Sequence, residues 1–102
     1  MISFNEEIDI IKREIISKYS PVKIILFGSY AKGWNRENSD IDLCIVCEYE
    51  DKKNLLIDML INIDSERDVD FILYRPDEWE KHTYDSGTFA SLIKREGVIL
   101  YG

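Results

Sequence analysis

Residues 26–43 read LFGSYAKGWNRENSDIDL, and the punctuation of this stretch decides how the chain is organised. It leaves an apolar run, Val22 to Phe27, at a Gly28-Ser29 turn. It then crosses a polar loop, Gly33 to Ser39, and enters a second apolar run headed by Asp40 and Asp42. A β-strand turns alternate residues to one face, so these two aspartates point the same way with Ile41 between them. Two carboxylates at one end of a strand repel each other unless a cation lies between them. Magnesium suits, because it takes oxygen ligands and binds one or two carboxylates together with substrate phosphates. Gly28 and Ser29 stand where a strand gives way to a short helical turn, Ser29 to Lys32, a place whose free N–H groups and hydroxyl hold phosphate. A phosphate cradle facing an acid pair implies chemistry on a nucleoside triphosphate.

Outward from this stretch, Val22–Phe27 is nearly continuous in apolar residues and reads as a central strand covered on both faces. The run Ile41–Cys47 returns antiparallel to it if Ser29 and Asp40 are to face each other. Upstream, Ser3-Phe4-Asn5-Glu6 has the form of a capping box. Phe4, Ile8, Ile11, Ile15 and Tyr19 follow at helical spacing until Pro21 stops the helix. Downstream, Asp51 caps a helix over 52–64 whose buried stripe is Leu56, Met59, Leu60 and Ile63. Val69–Tyr74 is a third strand. A strand–helix–strand passage of this length is a right-handed crossover, so the second and third strands run parallel and Asp70 comes up beside Asp40 and Asp42. Asp68 shares the strand face and is the alternative third acid. Asp70 is preferred because Phe71-Ile72-Leu73 follows it much as Leu43-Cys44-Ile45 follows Asp42. Pro76 opens a polar segment with Trp79 and His82. A last helix over 86–96 turns Phe89, Leu92 and Ile93 inward, Gly97 ends it, and Val98–Tyr101 forms a short edge strand.

The 102 residues suit one domain, 1–102, with a modest core. Twenty acidic against thirteen basic residues give a net charge of −7, which disfavours direct nucleic-acid binding and suits a basic protein partner. No apolar run approaches the roughly 18 residues that span a bilayer. The N-terminus, MISFNEEIDI, lacks the basic start of a secretion signal, so a cytoplasmic location without membrane contact is expected. Cys44 and Cys47 lie an odd number of positions apart on one strand and therefore on opposite faces. They read as small buried hydrophobes rather than a disulfide or zinc pair. His82 has no partner acid or nucleophile in sequence, and the loop aromatics Tyr30 and Trp34 cover a core edge, a base or a partner.

Gly28-Ser29, ten intervening residues and then Asp40-Ile41-Asp42 resemble the signature of the polymerase-β-like nucleotidyltransferases. With Ala31, Gly33 and Leu43 also in place, the string is most similar to the minimal nucleotidyltransferases, often antitoxin partners of HEPN-domain toxins. The resemblance implies an α/β (α+β) fold, a small mixed sheet of three to four strands flanked by helices. It implies two Mg2+ ions on Asp40 and Asp42, with Asp70 completing the catalytic site and helping to deprotonate the acceptor. Gly28 and Ser29 would hold the triphosphate of ATP, steadied by Lys32 and Arg36. The implied reaction is transfer of AMP to a protein hydroxyl, a tyrosine of a HEPN toxin. A non-catalytic module that neutralises a partner by covering it is the second reading. A nucleotidyltransferase of small molecules is the third, disfavoured because the chain offers no dedicated acceptor pocket.

Overall fold

The computed structural model describes residues 3–29, 31 and 40–102. Lys32 and Arg36 lie outside the described residues, as do Tyr30, Trp34 and most of the expected turn from Ser29 to Lys32. The described elements run α1 (Phe4–Tyr19), β1 (Lys23–Phe27), β2 (Ile41–Val46), α2 (Lys52–Asn62), β3 (Val69–Tyr74), α3 (Pro76–Tyr84), α4 (Phe89–Glu96) and β4 (Val98–Tyr101). The strands form one mixed sheet in the order β3-β2-β1-β4, with β1 antiparallel to β2 and β4, and β2 parallel to β3. No helix among the described residues is long and apolar enough to cross a membrane.

Both faces of this sheet are covered. Alternation along β1 sends Ile24 and Leu26 to one face and Ile25 to the other. In β2, Leu43 and Ile45 share the first face, while Cys44 and Val46 share the second. The first face packs against Ile8, Ile11 and Ile15 of α1 and Met59 of α2. Complete burial of an isoleucine such as Ile15 contributes roughly 1.5–3 kcal/mol. Trp79 of α3 with Ala90 and Ile93 of α4 covers the second face. Cys47, just past β2, falls in the first core and Cys44 in the second, and both thiols are free. Burial pushes the Cys44 thiol up to about 12.

The ends of α1 follow its sequence. The Ser3 hydroxyl accepts from the Glu6 N–H (3.2 Å), and Ser20 closes the helix in a left-handed conformation (φ 47°), its N–H bonding to the Ile16 carbonyl. Pro21 follows and cannot continue the helix. Asp51 caps α2 through the Asn54 N–H (3.1 Å).

Several expectations require correction. Of the stripe assigned to α2, Met59 and Ile63 are buried and Leu56 is half-buried against the same core, whereas Leu60 is 55% exposed. In α4 the buried positions are Ala90, Ser91 and Ile93, whereas Phe89 (51% exposed) and Leu92 (37%) face outward. The helix starts at Phe89, not residue 86, because Thr88 caps it by accepting from the Ser91 N–H (3.1 Å). The segment after Pro76, expected to be merely polar, is a helix that buries Trp79. Its signal was present: proline in the first turn with Asp77 and Glu78, then Lys81 and His82 in the last, matches both ends of a helix dipole. Val22 stands outside β1, exposed, although its N–H bonds to the Val46 carbonyl (2.7 Å).

Candidate active site

β2 and β3 bring the acids together by register. The parallel pairing sets Asp70 directly beside Asp42, one residue after Val69 pairs with Ile41. At the start of β2, the Ile41 N–H donates to the carbonyl of Asp68, the residue before β3 (2.8 Å). Asp68 therefore holds the ladder with its backbone and precedes β3, while Asp70 is the acid aligned with Asp42. Asp40 lies one alternation before Asp42, at the same sheet end, exposed. Asp40, Asp68 and Asp70 share a cleft of about 410 Å³ with Leu60 and Arg67.

On the other side β1 ends opposite Asp42, with Phe27 as its register partner. Gly28 then turns with φ +78°, a conformation that favours glycine. A Cβ there would stand 2.2 Å from the Asp42 Oδ2, so the acid occupies the space a side chain would take. Ser29, half-buried, follows in the same turn.

Burial, then the charges of Asp70 and Asp40, raises the Asp42 carboxyl above the usual aspartate range. Asp42 thus sits half-buried beside two further carboxylates, Asp70 and Asp40, whose charges act on it. Among the described residues no group of three or more His, Cys, Asp or Glu side chains closes on a single point as a ready metal cage. The donor set nevertheless fits magnesium, which binds one or two carboxylates and takes its remaining oxygens from water and substrate phosphates. Asp42 with Asp70, or with Asp40, supplies such a pair.

The start of β3 is anchored by a residue that motif reading passed over. Glu7 of α1 is 2% exposed, and its carboxylate accepts from the Ser65 hydroxyl (2.8 Å) and the N–H groups of Glu66 (2.6 Å) and Arg67 (3.3 Å). It also pairs with the Arg67 guanidinium. Burial by itself would raise the Glu7 carboxyl, yet these bonds outweigh it and hold the group below the usual range. The segment pinned here leads directly into Asp68 and Asp70. The sequence signal was an acid inside an apolar stripe, since Glu7 shares a helix face with Phe4, Ile8 and Ile11. His82 lies away from the acids, its ring near Tyr74 (6.3 Å), and lines neither cleft at the carboxylates.

The sequence matches the nucleotidyltransferase domain family over residues 8–97. The chain belongs to that family. The resemblance to a minimal nucleotidyltransferase of the polymerase-β-like superfamily, and the α+β fold it implied, are borne out. A comparison with curated proteins gave no match. Among solved structures, a candidate nucleotidyltransferase from Sulfolobus solfataricus aligns with a TM-score of 0.60 at 21% identity, covering 93% of this chain and 79% of its own. A toxin–antitoxin structure with AMP-PNP aligns with a TM-score of 0.63 at 23% identity, covering 98% of this chain and 74% of its own. At such identities the two structures speak for the shared fold. The family places nucleotidyl transfer on a chain whose sheet end presents Asp40, Asp42 and Asp70 opposite Gly28.

Proposed function

We propose that this nucleotidyltransferase moves AMP from ATP to a hydroxyl of a partner protein, a tyrosine of a HEPN-domain toxin, and so acts as an antitoxin. The observation that carries the site is the one-to-one register of Asp42 and Asp70 beside the Gly28 bend. Magnesium held by Asp40, Asp42 and Asp70 would neutralise the charge of the triphosphate. Gly28 and Ser29 hold the phosphates, with Lys32 and Arg36, close behind them in sequence, as further cations. The acceptor oxygen bonds to the α-phosphorus, the bond from that phosphorus to pyrophosphate breaks, and Asp70 takes up the acceptor's proton. Positioning and charge stabilisation supply most of the acceleration in phosphoryl chemistry, so the absence of a histidine from the site is no obstacle.

Two observations support a protein acceptor. The toxin–antitoxin neighbour, solved with an ATP analogue, combines the same fold with a nucleotide and a protein partner. In addition, α2 is apolar on its outer side: Ile57 (45% exposed), Leu60 (55%) and Ile61 (71%) are spaced to share one face. A surface helix normally carries polar residues there. Leu60 belongs both to this ridge and to the cleft of Asp40 and Asp70, so the ridge leads to the acids. The −7 charge favours a basic protein over nucleic acid.

The test is incubation of the folded protein with magnesium, ATP labelled at the α-phosphate and a HEPN-domain protein encoded beside it. Label on a tyrosine of that protein, lost in Asp40→Ala/Asp42→Ala, is the expected result. Neutralisation of the toxin by the double variant at full strength would move the function to binding alone. Label on a small molecule instead would replace the protein acceptor.

A further inference from the structure

We propose that the aromatic pair Phe27–Phe89 forms the wall against which the base of the nucleotide packs. This rests on the nucleotidyl-transfer reading and adds to it the location of the base.

Phe89 opens α4 half-exposed, yet it is not isolated surface. Its ring meets that of Phe27 edge-on, with centroids 5.7 Å apart and planes at 83°. Phe27 is the residue opposite Asp42 and immediately precedes Gly28. The two rings therefore border both the acids and the phosphate bend. On the acid side they wall a cleft of about 360 Å³ together with Leu56, Leu60, Asp42 and Asp70. On the bend side the same rings wall a smaller one of about 190 Å³ with Gly28 and Leu92.

Transfer takes place at the α-phosphate, which must lie at the acids, with the β- and γ-phosphates towards Gly28 and Ser29. The base is joined to the α-phosphate through the ribose, so it belongs on the acid side, in the larger cleft. That cleft has what a flat heterocycle needs: aromatic and aliphatic walls with polar groups confined to one end. The cleft across Asp70, lined by Asp40, Asp68 and Arg67, is polar and remains free for the acceptor. A base held by ring contact needs no hydrogen-bond readout, because every base presents a π-face.

The experiment titrates the protein by calorimetry, with magnesium present, using AMP-PNP and inorganic tripolyphosphate as separate ligands. The wild-type protein should bind AMP-PNP more tightly than tripolyphosphate. Phe89→Ala should weaken AMP-PNP roughly tenfold and leave tripolyphosphate unchanged, since losing one base–aromatic stack typically has an effect of this order. Phe89→Trp should retain the affinity, and its indole fluorescence should change on adding AMP-PNP but not tripolyphosphate. This second variant decides the matter if Phe89→Ala does not fold. Equal affinity of the wild type for both ligands, a parallel loss of both in Phe89→Ala, or a silent indole would overturn the base site alone. Failure of the wild type to bind either ligand would overturn the nucleotidyl-transfer reading, and the base site with it.

Discussion

Gly28 and Asp42 occupy space that only one side chain can fill: a Cβ on the glycine would stand 2.2 Å from the aspartate Oδ2 and 3.0 Å from its Cγ. The bend expected to hold phosphate and the acid expected to hold metal are therefore one packed unit. Moving either displaces the other.

Gly28→Ala brings two penalties together, the left-handed backbone at φ +78° and the collision with Asp42. Strain of this kind typically costs about 1–3 kcal/mol. The variant should melt earlier than the wild type in a thermal scan and lose nucleotide transfer beyond what its unfolded fraction explains. Retention of both would show that the bend is not packed on the acid.

Asp42 and Glu7 should give pH effects of opposite sign. The Asp42 carboxyl is raised by burial and by the charges of Asp70 and Asp40. Its neutral form favours the folded state, a contribution fully present below the unfolded carboxylate value and lost as pH rises through the raised folded value. Without divalent cations, Asp42→Asn should thus be more stable than the wild type at neutral pH, and the difference should shrink on mild acidification. Urea unfolding midpoints across that range measure it. A deficit in the variant at neutral pH would contradict the assignment.

Glu7 behaves the other way. Hydrogen bonds from Ser65, Arg67 and the backbone at Glu66 and Arg67 outweigh burial and lower its carboxyl. Its stabilisation is present above the unfolded carboxylate value and lost as pH falls through the lowered folded value. Glu7→Ala should cost about 2–4 kcal/mol at neutral pH, given the buried bonds it removes. Because the segment it pins carries Asp68 and Asp70, the weakened variant should also bind Mn2+ less tightly at temperatures where it is still folded. Calorimetry with Mn2+ and AMP-PNP tests this, and unchanged affinity would separate Glu7 from the site.

Ile57→Glu/Ile61→Glu alters the outer ridge of α2 without touching the core. Exposed substitutions of this kind usually change stability by no more than about 0.5 kcal/mol. Transfer to the protein acceptor should fall at least tenfold, through a higher KM for that protein, while AMP-PNP binding stays as in the wild type. An unchanged KM would mean that the acceptor docks elsewhere.

Periodicity along the chain was enough to determine which residues share a face. Alternation placed Asp40 with Asp42 and set Cys44 opposite Cys47, and the right-handed crossover brought Asp70 alongside, before any contact was known. Local chemistry marked Ser3 and Asp51 as caps, and a left-handed bend at Gly28 agrees with the glycine there. Only the tertiary structure decided which faces are covered. Leu60 and Phe89 carry the same apolar surface as Met59 and Ile93, yet the former pair lines open clefts and the latter pair lies in the cores. It also revealed that Glu7 reaches across to Ser65 and Arg67, nearly sixty positions away in sequence. The reason is physical: spacing fixes the direction of a side chain relative to its own element, whereas burial depends on the neighbouring element that packs against it, and that neighbour comes from a distant part of the chain.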